Sequence, residues 1–521
     1  MSRREFMKLS ASSMVGFSMG TSFFTGCSGR TRPSQPPNLV FFLVDQLRLQ
    51  SCGYAGRYAD DPSPYTPNLD QLARESMDFR NAVSGSPMCC PFRASLFTGK
   101  YPSSTGMVIN ELRVMPDPDA LGHVLTDNGY QTAYIGKWHL FGKDHSPPQQ
   151  FCPPGAYRLG FDGNWAAHNF HHLYYEGFYY RDTFNRIEIE GYEPHTQTDM
   201  AIELMKQYGE AEDPFALFIS YGPPHDPWTW DNSPETFNQL FRDKHFPDPP
   251  NYADGHALYW SDRRGAEWWM NSWKPNRFQY RQGYAAQTSS MDWELERVLS
   301  ALDDLGLAEN TMFVFTSDHG EMFGSHGRIA KKIFYEEAVR VPFLVRWPEK
   351  IPPGQNTACL NTPDIAPTLL CLMNLEVPES MEGHNFSHAA LGESGVDSGS
   401  AFMQGMGHTF QWYDGDECRA VRTEQFTYAH MLADDSEYLF DNINDPYQMT
   451  NLVNNPDFRE TYTHLKTEMN KKMEALQDPY RPTTWYRDHW IEDRVIVRSA
   501  TRELEEQYLP RNIELPHIEN T

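Results

Sequence analysis

The sequence predicts an α/β fold: a large, mostly parallel sheet flanked by helices, with a smaller unit beyond a linker. Two observations carry the sheet. Asn38-Leu39-Val40-Phe41-Phe42-Leu43-Val44 and Thr311-Met312-Phe313-Val314-Phe315-Thr316-Ser317 are continuous apolar runs, the pattern of strands buried on both faces. Further strand-like runs at 131–136, 214–221 and 341–347 alternate with helical stretches such as 289–305, as when helices cover a parallel sheet. The third observation is a Gly/Ser-rich dip at 391–400, which separates residues 37–390 from a smaller unit at 401–478.

Taken from the start, residues 1–27 describe transport. Ser2-Arg3-Arg4-Glu5-Phe6-Met7-Lys8 is a twin-arginine pattern, followed by a weakly apolar stretch from Leu9 to Phe24 and then Thr25-Gly26-Cys27. The stretch is too short and too diluted by Ser, Gly and Thr for a permanent membrane helix. Cys27 resembles the lipid-modified cysteine of a bacterial lipoprotein, with Phe24 in place of the usual aliphatic residue three before it. The expectation is an exported protein, periplasmic or membrane-anchored as a lipoprotein, whose partners include the twin-arginine export machinery. Residues 28–36 form a Pro/Ser linker.

The whole chain of 521 residues carries 44 Lys plus Arg against 70 Asp plus Glu, a net charge of −26. Such a surface repels polyanions, so nucleic acid is excluded as a partner and an anionic substrate needs a locally basic pocket. Eight cysteines spread over this length do not resemble a disulfide scaffold. Pairing among Cys52, Cys152, Cys359, Cys371 and Cys418 is not assigned by the sequence.

The most informative stretch is Ser86-Pro87-Met88-Cys89-Cys90-Pro91-Phe92-Arg93-Ala94-Ser95-Leu96-Phe97-Thr98-Gly99-Lys100. A helix starting near Pro91 after a loop offers unpaired N–H groups and a positive dipole end to a thiolate or an anion. Both apolar strands end in polar pairs, Asp45-Gln46 and Asp318-His319, where α/β sheets place ligands. Together they offer three oxygens and one nitrogen, enough for a hard divalent cation once residue 89 adds an oxygen.

The Cys89 run matches C-x-P-x-R-x-x-x-x-T-G and resembles the maturation signature of the type I sulfatases, whose cysteine is oxidised to formylglycine. Thr66-Pro67-Asn68-Leu69-Asp70, Gly136-Lys137-Trp138-His139-Leu140, Pro223-Pro224-His225, Ser317-Asp318-His319-Gly320 and Tyr335-Glu336-Glu337 follow the order of that family over residues 36–455. The resemblance implies an alkaline phosphatase-like fold, and it makes the segments at 419–423, 426–428 and 437–441, with a helix at about 458–476, a small antiparallel α+β subdomain. Pro363–Leu370 is expected to be the helix that closes the large domain, and the tail 479–521 reads as charged and uninformative.

By the same resemblance, Asp45, Gln46, Asp318, His319 and residue 89 hold the metal. Ca2+ is the expected ion, with Mn2+ or Zn2+ less suited overall but favoured by the imidazole. Many relatives carry two adjacent aspartates and a later Asp-Asn, so Gln46 and His319 are departures. Arg93 is expected to orient residue 89, while Lys137, His139, His225 and Lys331 line the sulfate pocket. Lys331 is preferred to Lys332 because it lies four before Tyr335. His225 and Lys331 are the expected donors to the leaving oxygen, since an alkoxide leaves poorly. His326 is expected in a loop near the mouth. In the mechanism the resemblance implies, one hydroxyl of hydrated formylglycine attacks sulfur and the other expels sulfate; a formylglycine-generating maturation enzyme is therefore a partner.

The alternative is a phosphonate monoester hydrolase or phosphodiesterase of the same superfamily, which shares the Gln and His variants. Gly-Lys-Trp-His fits the sulfatase pocket better. A non-catalytic carbohydrate-binding lipoprotein would have no reason to keep Cys89, Arg93, both metal pairs and Lys331 together. Two inserts, 151–195 and 228–273, are rich in Tyr, Phe, Trp and His without a helical or strand period. Aromatic faces suit sugar rings, so a sulfated carbohydrate is the expected substrate.

Overall fold

A computed structural model describes residues 36–58, 65–142, 150–255, 265–393 and 399–512. The leader, with Arg3, Arg4 and Cys27, and Trp260 of the second insert lie outside the described residues.

Eight strands form the main sheet in the order Gly354–Asn356, Met77–Phe79, Phe343–Arg346, Thr311–Ser317, Asn38–Val44, Phe215–Ser220, Gln131–Lys137 and Asn164–His168. Pairing is parallel throughout, except that Phe343–Arg346 runs antiparallel to both neighbours. Asn38–Val44 lies inside this sheet, and alternation of its side chains between two buried faces explains why it is apolar from Leu39 to Val44. Leu39, Phe41 and Leu43 enter one core; Val40, Phe42 and Val44 enter the other.

Parallel register aligns the strand ends. Val44 pairs with Ser317, so Asp45 and Asp318 emerge side by side, and Lys137 and Ser220 close the next strands. Gly136 makes this possible at one point: its φ is +98° and a Cβ there would lie 2.1 Å from the Ser220 carbonyl oxygen. The site is therefore built on four adjacent carboxyl ends.

The helix of the maturation motif spans Cys89–Thr98, two residues earlier than expected. Pro91 still lies in its first turn, where a missing N–H leaves no bond unmade. Gly99, at φ +65°, closes the helix by donating to the Ser95 carbonyl. The expected helix 289–305 belongs to a longer one, Lys274–Asp304, whose first turn holds Pro275. The segment expected to close the large domain is helical over Ile365–Leu372 after a short 3-10 turn.

Beyond the linker, Ala401–Gly405, Cys418–Arg422, Phe426–Met431 and Glu437–Asp441 form an antiparallel sheet. One face packs on Leu465 and Met469 of the helix Arg459–Ala475; the other packs on Val83, Phe334 and Val339 of the large domain. Arg422 and Glu336 join the two with buried paired bonds of 2.7 and 2.9 Å. The tail corrects the sequence reading. Thr483–Trp490 is a helix, Ile491–Glu492 and Val495–Ile496 form a hairpin, and Tyr486, Trp490 and Ile496 are buried in the large domain's core.

Cys52, Cys152 and Cys418 are buried free thiols. No described helix is long and apolar enough to cross a membrane.

Candidate active site

Cys89 is the first residue of its helix and its side chain is 1 % exposed. Its Sγ lies 3.3 Å from His319 Nε2, 3.8 Å from Asp45 Oδ1 and 3.7 Å from Lys137 Nζ. Burial alone would raise the thiol's pKa, but Lys137, Lys331 and His319 outweigh it and hold it well below the ordinary cysteine value. On the resemblance drawn from the motif, this cysteine would be the precursor side chain, and its sulfur would mark the place of the reacting oxygen.

Asp45, Cys89, Asp318 and His319 form one buried group with ligand atoms within 4.8 Å of one another. His319 Nδ1 donates to the Gly320 carbonyl at 3.1 Å, which turns Nε2 toward Asp45 Oδ1 and Asp318 Oδ1, each at 3.5 Å. Burial lowers the imidazole's pKa, yet Asp318 prevails and raises it, so the spot attracts positive charge. Two hard carboxylates with an imidazole nitrogen fit a divalent cation. The carboxylates are not equivalent. Burial and Cys89 raise the pKa of Asp45, but Lys137, His225 and His319 prevail and lower it; that of Asp318 is raised by burial and by Asp45.

Gln46, at φ +67°, donates its backbone N–H to Asp318 Oδ1 at 3.0 Å. Its side-chain oxygen accepts from Lys331 Nζ at 2.6 Å and its amide nitrogen donates to Glu321 Oε2 at 2.8 Å. Arg93, fully buried, spans the two strand ends: 3.5 Å to Asp45, 3.4 Å to Asp318, and 2.7 Å to both Ser220 Oγ and the Lys137 carbonyl. Lys137 Nζ bonds Asp45 Oδ2 at 2.5 Å. Burial disfavours its charge, but Asp45 and Cys89 raise its pKa, so it stays an ammonium.

On the other side Lys331 Nζ lies 2.8 Å from His225 Nε2. An ammonium only donates, so Nε2 accepts and the proton of His225 sits on Nδ1, 3.0 Å from the Asp226 carbonyl. His139 bonds Glu111 through Nε2 at 2.8 Å, and its carbonyl accepts from Cys90 Sγ. Burial lowers the His139 pKa, but Cys90 and Glu111 lift it well above the ordinary value.

The ten residues singled out in the sequence thus meet around one point. His326 lies in the loop after His319, where it stacks on Tyr335 with ring centroids 3.8 Å apart and bonds Asn251. The sequence reading missed Glu111 and Glu321 as partners of site residues, and placed His172 in an insert without a role. Glu321 had a signal, lying three after Asp318 in Asp-His-Gly-Glu; Glu111 had none. Most insert aromatics are interior. Tyr157, Phe161, Trp165, Tyr174, Phe178, Tyr180, Trp228, Trp269 and Trp273 are buried, whereas Tyr175 is 44 % exposed.

A family model described as Sulfatase matches residues 37–375. The chain belongs to the sulfatase family. A second model, N-sulphoglucosamine sulphohydrolase, C-terminal, matches residues 324–475. An ulvan-active sulfatase of Formosa agariphila is 34% identical over 455 residues, covering 86% of this chain and 83% of the relative. A solved Bacteroides thetaiotaomicron protein, described with the metabolism of multiple glycosaminoglycans, superposes with a TM-score of 0.74 at 26% identity, covering 87% and 98% of the two chains. A phosphonate monoester hydrolase of Silicibacter pomeroyi shares the fold alone: TM-score 0.66, 19% identity, 85% and 96% covered. This sulfatase is a sulfuric ester hydrolase of the type I group in the alkaline phosphatase superfamily. That family implies formylglycine and a divalent metal.

Proposed function

We propose that this sulfatase removes sulfate esters from a sulfated glycan, using formylglycine made from Cys89 and a bound Ca2+. The observation that carries the chemistry is the buried Asp45, Cys89, Asp318 and His319 group set between two lysines, Lys137 and Lys331. Asp45, Gln46, Asp318 and His319 would hold the cation, which offsets charge on the sulfate oxygens. Formylglycine at residue 89 would supply geminal hydroxyls, one as the nucleophile toward sulfur and one that lets the sulfate leave again.

The chain's own residues divide the remaining work. Arg93 fixes both carboxylates and anchors to Ser220, so the reacting position does not drift. Lys137 faces residue 89 and meets the nonbridging oxygens, with His139 held beside it by Glu111. His225 Nε2 is already occupied as an acceptor, so the proton for the leaving oxygen is on Lys331. Both remain the pair that serves the leaving group.

Support for a glycan comes from the relatives named for ulvan and for glycosaminoglycan metabolism, and from Tyr175 exposed in the first insert. The reading extends to export through the twin-arginine route and to maturation by a formylglycine-generating enzyme before it. The test is kinetics on oligosaccharides from several sulfated polysaccharides, a small aryl sulfate, a phosphodiester and a phosphonate monoester. Glycan desulfation is expected to lead. An aryl sulfate far ahead of every glycan would remove the glycan, and a faster phosphodiester would return the alternative.

A further inference from the structure

His172 lies in the aromatic insert, partly exposed, yet touches Lys137 on one side of the pocket and His225 on the other. Its Nε2 is 3.0 Å from Lys137 Nζ, and its ring lies over His225 with centroids 3.8 Å apart and planes inclined 35°. We propose that His172 is a positioning residue with two separable parts: Nε2 aims the Lys137 ammonium at residue 89, and the ring face backs His225 against Lys331. This rests on the sulfatase reading above.

The Lys137 ammonium has three N–H groups. Asp45 Oδ2 takes one and His172 Nε2 another, so the direction left over is fixed; it faces Cys89 Sγ at 3.7 Å. Because the ammonium only donates, Nε2 of His172 accepts and its proton sits on Nδ1. Burial, His225 and Lys137 hold the His172 pKa well below the ordinary value, which agrees with a neutral ring. His225 is then pinned on three sides: Lys331 at Nε2, the Asp226 carbonyl at Nδ1 and His172 on one face.

The loop that presents His172 is tied to the loop that presents His225. Asn232 Nδ2 donates to the carbonyls of His172 and Pro227, both at 3.0 Å, while its oxygen accepts from Tyr174 N at 2.8 Å. Tyr174 in turn donates its hydroxyl proton to the His225 carbonyl at 3.0 Å. The two rings are held as a unit. A side chain that only packed would not need an acceptor aimed at a catalytic lysine.

Two substitutions separate the parts. His172→Gln keeps an acceptor near Nε2 and loses the ring; His172→Phe keeps the ring and loses the acceptor. The probes are aryl sulfates graded from 4-nitrophenyl, whose phenolate leaves readily, to 4-methoxyphenyl, whose phenolate leaves poorly. For His172→Gln the loss in kcat/KM should grow about tenfold or more across that series, because the leaving-group arm is loosened. For His172→Phe the loss should be about tenfold or more and level across the series, because Lys137 acts at sulfate. A level loss for Gln, a graded loss for Phe, or no loss in either overturns the proposal. Where a variant does not fold, His172→Ala with added imidazole decides: partial recovery is expected, and none counts against the proposal. Wild-type protein inert on every sulfate would sink the sulfatase reading itself, which the variant pattern does not address.

Discussion

The side-chain amide of Gln46 donates to Glu321 Oε2 while its oxygen accepts from Lys331, and the two bonds together set which end of the amide faces the site. Glu321 already accepts the backbone N–H groups of Phe323 and Ala330 on its other oxygen. Burial raises the Glu321 pKa, yet both its oxygens face N–H donors, so the Gln46 amide nitrogen turns to Glu321 and its oxygen to the site. Glu321→Gln would set amide against amide and turn Gln46 round. Ca2+ titrated into the metal-free variant by calorimetry should bind about 10–100-fold more weakly than to wild type. Equal affinity would show that Glu321 does not orient Gln46.

Residue 89, not residue 90, should carry the aldehyde. Only Cys89 lies among Lys137, Asp45 and His319; Cys90 gives its proton to the His139 carbonyl and its pKa is raised by burial. Peptide mass analysis after co-expression with a maturation enzyme should find the thiol-to-aldehyde change at 89. Cys89→Ala should abolish turnover, while Cys90→Ala should cost about 1–2 kcal/mol of stability and leave turnover measurable. Full activity with an intact Cys89 thiol would contradict the assignment.

Asp318→Ala should empty the metal site. It removes a carboxylate that also meets Arg93 at 3.4 Å and the Gln46 N–H at 3.0 Å. Elemental analysis of the purified variant is expected to show little bound cation, and activity should be lost with it. Full occupancy would mean that the ligands are misassigned.

His326 should make the loop after His319 sensitive to acid. Burial pushes its pKa down to about 4 from 6.5, so the native state holds the ring neutral. The stability it contributes is complete above pH 6.5 and is lost as pH falls from there toward 4. At pH 5 the loss is about 2 kcal/mol. His326→Phe keeps a ring for Tyr335, and its melting temperature should fall less than that of wild type between pH 7 and 5. Parallel falls would exclude this residue as the source.

Arg422 and Glu336 should hold the C-terminal sheet onto the large domain. Both are buried, and Glu336→Ala would leave Arg422 without its paired acceptor, costing about 3–5 kcal/mol. Thermal unfolding should show a lowered or split transition, with kcat at low temperature close to that of wild type. An unchanged transition would place the docking energy elsewhere.

Residues in the middle of the main sheet were legible because Leu39–Val44 and Met312–Phe315 are unbroken apolar runs and both strands are followed by a polar pair. A strand that is buried on both faces leaves no other reading. Cys89, Arg93, Lys137 and His139 were legible because each sits in a run with fixed neighbours. Glu111 and His172 were not: Glu111 acts through a bond to His139, and His172 through Lys137 and the His225 ring, partners outside their own local runs, and nothing local marks them. The inserts misled for a related reason. Phe161 and Trp165 pack around Phe97 and Tyr134, contacts that an aperiodic stretch does not announce. In the tail, Tyr486, Trp490 and Ile496 belong to apolar groups of two or three residues between charges, too short to show a period, and only the docked structure shows what they fill.

The tail also closes a door. Ala500 N donates to the Ser103 carbonyl and Ile496 N to the Arg113 carbonyl, so residues 496–500 fasten the segment that follows the Cys89 helix. Cys89 itself is 1 % exposed in the folded chain. On the proposed reading, a macromolecular catalyst that oxidises residue 89 must meet the chain before this packing is complete, so folding and maturation compete for the same thiol.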